Sequence, residues 1–149
     1  MSTTIKLLFD ENIGRPLVEA MRPLLHKYEE PVDVAHLLDL LGRHGEQDEN
    51  WIPELADEEW LVISADRGKK PGPKLPLLCA EFGVRHILIK GALHNLKQFE
   101  KARAIIIVWP SLIAARTKPR GTRFLLTMGP KYPVLKEVPA IASAPQRAS

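Results

Sequence analysis

Apolar residues along this chain come in short runs that stop at polar or glycine-bearing turns, with longer amphipathic stretches between them. The first run, Ile5–Phe9, ends at Asp10, and its density of apolar residues fits a buried strand near the centre of a sheet. From Ile13 to Leu25 the residues Ile13, Leu17, Ala20, Met21 and Leu24 recur at near-helical spacing, which predicts a helix. Pro16 falls in its first turn, where a missing amide hydrogen is tolerated, and Pro23 leaves its far end less defined. Val32–Ala35 predicts a second strand, followed by Leu37–Leu41 as a turn or short helix and a glycine-bearing loop over 42–45. A helix is expected to begin near Trp51 with Asp48 as its cap, and Glu49 and Glu54 add favourable negative charge around its first turns. Trp60–Ile63 reads as the third strand, closing in the polar turn Ser64–Gly68.

Beyond a basic loop, Pro76–Phe82 predicts a helix ended by Gly83, and His86–Ile89 a fourth strand. Leu96–Ile107 reads as mainly helical with Phe99, Ala102 and Ile106 as its apolar stripe, and Pro110 marks a boundary or kink. Arg123–Met128 and Val134–Val138 read as late strands or an interaction arm. Strand and helix alternate throughout, which favours a compact, mostly parallel α/β sheet covered on both faces. At 149 residues the chain has material for one sizeable core, so one domain is expected over 1–138, with a mobile Ala-, Ser- and Pro-rich tail over 139–149.

Composition narrows the picture modestly. The single cysteine, Cys79, lies in an apolar run and reads as a core residue, so neither a disulfide framework nor a cysteine-rich zinc site is available. With no signal-like leader and no apolar run of membrane-spanning length, a cytoplasmic, non-membrane protein is expected. The net charge of +3 does not by itself indicate a nucleic-acid partner. Its distribution is more informative, because the stretch 48–59 is acidic whereas Arg67-Gly-Lys-Lys-Pro-Gly-Pro-Lys74 is basic and follows Asp66 directly. A basic rim beside carboxylates suits a polyanion whose scissile phosphate must approach them; a solvated loop carrying ordinary surface lysines is the plainer reading of the same segment.

Candidate chemistry collects at three acidic points. Asp10 and Asp66 each follow an apolar strand, where carboxylates project into the crevice in which α/β sheets bind ligands. Asp48, at the mouth of the intervening helix, suits either a third oxygen ligand or a helix cap. Such a set favours a hard divalent ion, Mg²⁺ or Mn²⁺, that would activate a water and neutralise charge on a phosphate. The roles expected are Asp10, Asp48 and Asp66 as ligands and catalytic residues, with Glu11 and Glu49 as outer ligands. Asn12, Arg67, Lys69, Lys70 and Lys74 are the candidate substrate contacts, although Asn12 also fits a helix N-cap and the loop cations also fit a solvated surface. The five histidines show no metal-binding spacing, and Ser64 lacks a nucleophile-elbow setting. Trp51, Trp60 and Trp109 lie beside aliphatic residues and read as packing rather than base-stacking side chains.

Lys6-Leu-Leu-Phe-Asp-Glu-Asn-Ile13, Asp48-Glu49-Asn50-Trp51 and Trp60-Leu-Val-Ile-Ser-Ala-Asp-Arg67 together resemble the PIN-like proteins, over about Ile5 to Val108. The resemblance is strongest to a small bacterial group allied to the ribonuclease toxins of toxin–antitoxin pairs. It implies a three-layer α/β/α sandwich with a mostly parallel sheet, and an acidic crevice that binds Mg²⁺ or Mn²⁺ and hydrolyses RNA phosphodiesters. The partners implied are RNA, a cognate antitoxin and, for a homodimer, a second copy of the chain. Standard PIN nucleases carry a fourth acid after the strand-ending aspartate, where this chain has Arg67-Gly-Lys-Lys70. A noncatalytic RNA-binding or protein-interaction module with the same fold is the alternative.

Overall fold

The computed structural model describes residues 4–10, 13, 15–25, 32–41, 48–65, 74–90 and 98–139. Six strands form one sheet: β1 (Ile5–Phe9), β2 (Val32–His36), β3 (Leu61–Ala65), β4 (Arg85–Ile89), β5 (Arg123–Met128) and β6 (Pro133–Val138), in the order β2-β1-β3-β4-β5-β6. The first five run parallel, and β6 returns antiparallel along β5. The late segments are thus strands of the main sheet rather than a separate arm. The helices are α1 (Arg15–Leu25), α2 (Leu37–Leu41), α3 (Asp48–Leu55), α4 (Lys74–Phe82), α5 (Gln98–Ile107) and α6 (Trp109–Ala115).

The strands are apolar because helices cover both faces of the sheet. Ile5, Leu7 and Phe9 of β1 join Leu61 and Ile63 of β3 in a core under α1, α5 and α6. Leu8 and Val62, pointing the other way by strand alternation, join Trp51, Ile52 and Cys79 in a second core under α3 and α4. The result is a three-layer α/β/α sandwich. All three tryptophans pack into these cores, as does Cys79. No helix among the described residues is long and apolar enough to cross a membrane.

Two details differ from the sequence pattern. Strand β3 continues through Ser64 and Ala65, both buried, where a polar turn was expected. The larger difference is in α5: Phe99 and Ile106, expected to face inward, are 75% and 43% exposed. The buried stripe is instead Lys101, Ala104, Ile105 and Val108, continued by Trp109, Leu112 and Ala115 of α6. That spacing of three and four residues runs unbroken through the Val108–Trp109 junction, so packing of the two helices together fixes the rotation of α5. Pro110 lies in the first turn of α6, where it starts a new helix.

Gly83 ends α4 as expected. At φ +71° it closes a Schellman turn, with the Val84 amide donating to the Cys79 carbonyl at 2.7 Å and the Gly83 amide to Ala80 at 3.4 Å.

Candidate active site at the carboxyl ends of β1 and β3

β1 and β3 are neighbours, yet the chain leaves them in opposite directions: α1 leads from β1 to β2, and α4 leads from β3 to β4. The carboxyl ends of these two strands therefore form a topological switch point, the place where open α/β sheets leave a crevice for ligands. Asp10 occupies it. Its amide donates to the Ile63 carbonyl at 3.0 Å, prolonging the β1–β3 ladder, and its carbonyl accepts from the Ile13 amide at 3.0 Å. The residue is only 6% exposed, so its carboxylate is held largely out of bulk water.

A second contact braces the turn that follows. His36, at the end of β2 and 1% exposed, has its Nε2 2.7 Å from the Ile13 carbonyl, so the same residue is held by both Asp10 and β2. Outside the crevice, Asp39 of α2 forms ion pairs with Arg15 and Arg22 of α1, tying these two helices together at a partly exposed position.

Beneath Asp10 on the second-core face lies a polar pair. Phe9 pairs with Ile63, which sets Asp10 level with Ser64, and Ser64 Oγ lies 2.7 Å from His86 Nε2. His86 is completely buried, and its Nδ1 has no hydrogen-bond partner. Desolvation, reinforced by the charge of Arg123, lowers its pKa to about 3, so His86 is neutral near pH 7. With both groups sealed from solvent, the pair braces β3 against β4 and is inaccessible as a nucleophile and base.

The other expected residues are placed only in part. Asp48 is the first residue of α3 and Glu49 the second, and Lys74 is the first residue of α4; their side chains lie outside the described residues. Asp48 thus begins the helix itself, three residues before Trp51. Glu11, Asn12, Asp66, Arg67, Lys69 and Lys70 also lie outside the described residues, Asp66 coming directly after the last residue of β3 in the chain. Among the described residues no group of three or more His, Cys, Asp or Glu side chains is arranged to hold a metal. What Asp10 contributes is a single carboxylate, the donor type that hard cations take, largely shielded from water at the carboxyl end of β1.

A separate cleft of about 490 Å³ opens at the opposite, amino ends of the strands, lined among others by Thr4, Lys6, Asp57, Glu59, Arg85 and Arg116. Its mixed charges largely offset one another, and the sheet separates it from Asp10.

Sequence reasoning missed three polar features: the Ser64–His86 pair, the His36–Ile13 contact and the burial of Lys101. A signal for the first was present, since a histidine inside a strand covered on both faces requires a polar partner, and Ser64 follows the neighbouring apolar run.

A three-layer α/β/α protein with a shielded aspartate at the switch point of a mostly parallel sheet defines a recognisable class of ligand-binding α/β folds. A family model described as a PIN like domain matches residues 5–91, more than half of the chain, and the chain belongs to the PIN-like domain family. Many members of that family are nucleases, and PIN domains generally use divalent metals for catalysis. No curated protein and no solved structure gives a match.

Proposed function

We propose that the chain is a divalent-metal-dependent endoribonuclease acting on RNA phosphodiesters. The observation that carries this reading is Asp10: a carboxylate 6% exposed at the switch point of a PIN-like sheet, beside a strand whose next residue in the chain is Asp66. Asp10, Asp48 and Asp66 are the residues assigned to hold Mg²⁺ or Mn²⁺, with Glu11 and Glu49 as outer ligands. The chemistry that such an ion supplies is activation of a water and neutralisation of charge on the scissile phosphate. The chain's own contribution is to fix the carboxylates. The Asp10 amide locks to Ile63, and the Ile13 turn is clamped by His36. Asn12, Arg67, Lys69, Lys70 and Lys74 are assigned to the RNA backbone, which demands cations along its path. The narrower role, toxin of a type II pair restrained by a cognate antitoxin, rests on the resemblance of the Asp10 and Asp66 motifs to that bacterial group.

A second reading is favoured by one sequence feature, the Arg67-Gly-Lys-Lys70 segment where PIN nucleases carry another acid. On that reading the protein keeps the fold as a noncatalytic RNA-binding or protein-interaction module.

The test is cleavage of mixed structured and single-stranded RNAs with Mg²⁺ or Mn²⁺, against chelator, Asp10→Asn and Asp66→Asn controls. Metal-dependent cleavage lost in both folded variants supports the enzyme. Absence of wild-type cleavage with either ion across the panel would sink the ribonuclease reading in favour of the binding module.

A further inference from the structure

The β5–β6 hairpin is covered on one face and bare on the other. Phe124 and Leu126 of β5 are buried in the first core, with Leu135 of β6 packed against it. On the opposite face the register sets Arg123 beside Val138, Leu125 beside Lys136 and Thr127 beside Val134. None of these six is fully buried: Val134 is 43% exposed, Lys136 is exposed and the other four are half-buried. The second core lies on that face under α3 and α4, and among the described residues it draws no side chain from either strand. The reason is topological. Successive parallel strands are joined through helices, whereas β5 and β6 are joined directly through 129–132, so the hairpin brings no helix of its own.

Charge differs between the two faces. Both charged side chains among the six, Arg123 and Lys136, are cations. Glu137 shares the other face with Phe124 and pairs with Lys118 at 3.3 Å. The register also aligns the bare face with the candidate site. Asp10 is level with Ser64, Ser64 with Leu88, Leu88 with Leu125 and Leu125 with Lys136, so one row of the sheet runs from Asp10 to Lys136 on a single face. Four strand spacings put its ends about 19 Å apart. Between them Lys90 prolongs β4, its amide donating to the Leu126 carbonyl at 3.1 Å, and strand alternation turns its exposed side chain to the same face. Tyr132, 63% exposed, stands in the turn after β5, at the end of the sheet that Asp10 occupies.

We propose that the bare face of β5–β6 is a docking surface for single-stranded RNA extending from the Asp10 crevice, with its phosphates passing Lys90 toward Lys136 and Arg123 and a base stacked on Tyr132. A polyanion complements a face whose described charges are all positive, and an exposed aromatic ring supplies a stacking partner for any base. The direction of the path rests on the ribonuclease reading, whereas the surface itself lies beyond residue 91, where the family match ends.

The test is fluorescence anisotropy of a fluorescein-labelled single-stranded RNA of about 12 nucleotides, titrated in EDTA to prevent metal-dependent cleavage, over a series of salt concentrations. The variants are Lys136→Gln, Tyr132→Ala and Lys118→Gln, the last removing one positive charge from outside the surface. All three side chains are exposed, and thermal melts check that each variant folds. Lys136→Gln should weaken binding about fivefold and make the salt slope shallower by about 0.7, the loss of one phosphate contact on a single strand. Tyr132→Ala should weaken binding about tenfold with the slope unchanged, because stacking releases no counterions. Lys118→Gln should bind as wild type does. Wild-type affinity in both Lys136→Gln and Tyr132→Ala, or an equal loss in Lys118→Gln, would overturn the docking surface and leave the ribonuclease reading standing. The expected losses in a protein that cleaves no RNA with Mg²⁺ or Mn²⁺ would uphold the surface and overturn the nuclease. A wild-type protein that binds no RNA would overturn both. Sedimentation addresses a different occupant: a dimer that Val134→Asp dissociates would give the face to a second copy of the chain and overturn the RNA assignment.

Discussion

Ser64 Oγ and His86 Nε2 lie 2.7 Å apart across β3 and β4, with both side chains sealed from solvent. The fold holds His86 neutral, with a pKa lowered from 6.5 to about 3, chiefly by desolvation and further by Arg123. The unfolded chain, where this imidazole titrates normally, therefore binds more protons between these two values. The stabilisation is fully present above about pH 6.5 and is lost as pH falls toward 3. Urea unfolding between pH 7 and 5 should show stability falling with a slope approaching about 1.4 kcal/mol per pH unit from this group. His86→Leu should flatten that slope. An unchanged slope in the folded variant would assign the acid sensitivity to other groups.

His36 reaches across from β2 to the Ile13 carbonyl, and the Ile13 amide in turn holds the carbonyl of Asp10. His36→Ala removes a donor from a buried carbonyl and leaves a cavity, for an expected loss of about 2–4 kcal/mol. If the turn also presents Asp10 to a metal, Mn²⁺ affinity should fall in the variant at temperatures where it remains folded. Calorimetric titration checks this, and a destabilised variant with wild-type Mn²⁺ affinity would confine His36 to a structural role.

Arg120 joins three chain segments. Its Nε donates to the Gly83 carbonyl at 3.0 Å, and its Nη2 donates to the carbonyls of Ala56 at 2.7 Å and Phe82 at 3.3 Å. Phe82 and Gly83 stand at the end of α4, where carbonyls lack helical partners, and Ala56 directly follows the last residue of α3. Because the guanidinium is partly exposed, Arg120→Ala should cost about 1–2 kcal/mol, less than fully buried charged bonds would. Arg120→Lys should recover little of this, since an ammonium cannot reproduce the planar fork. Denaturant unfolding of the two variants makes the comparison.

The rotation of α5 gives another contrast. Ile105 is fully buried, whereas Phe99 is 75% exposed. Ile105→Ala should destabilise by about 2–4 kcal/mol, and Phe99→Ser should stay within about 0.5 kcal/mol of wild type. The reverse ranking in thermal melts would mean that Phe99, not Ile105, faces the sheet.

Much of the framework was legible because it rests on periodic burial. Ile5–Phe9 and His86–Ile89 read as buried strands because helices cover both sides of them, and Gly83 read as a stop because only a positive φ closes that turn without strain. The rotation of α5 was not legible from apolar residues alone. Phe99 and Ile106 are hydrophobic and exposed, while the inward stripe begins with a lysine, so polarity and burial disagree at the positions that carry the signal. The strand end of β3 was lost for a related reason: Ser64 is polar, and its burial depends on His86, twenty-two residues away. The position of Asp10 just past β1 was legible because a strand end is a local feature. The hydrogen bonds of Asp10 and Ile13 that set its position depend on β2 and β3, and therefore emerge only from the assembled sheet.

Asp10 itself gives a test independent of any RNA substrate. A carboxylate 6% exposed loses much of its hydration on folding, and a divalent cation would offset that cost only in the native state. Asp10→Asn keeps the shape and removes the charge that a divalent cation would need. Wild-type protein should gain about 2.7 kcal/mol of stability when Mn²⁺ is present at one hundred times its dissociation constant, and the variant should gain little at the same concentration. Thermal melts with and without Mn²⁺ read both effects. Equal stabilisation of the two proteins by Mn²⁺ would place the bound ion somewhere other than Asp10 and remove the main physical support for metal-dependent chemistry at this end of the sheet.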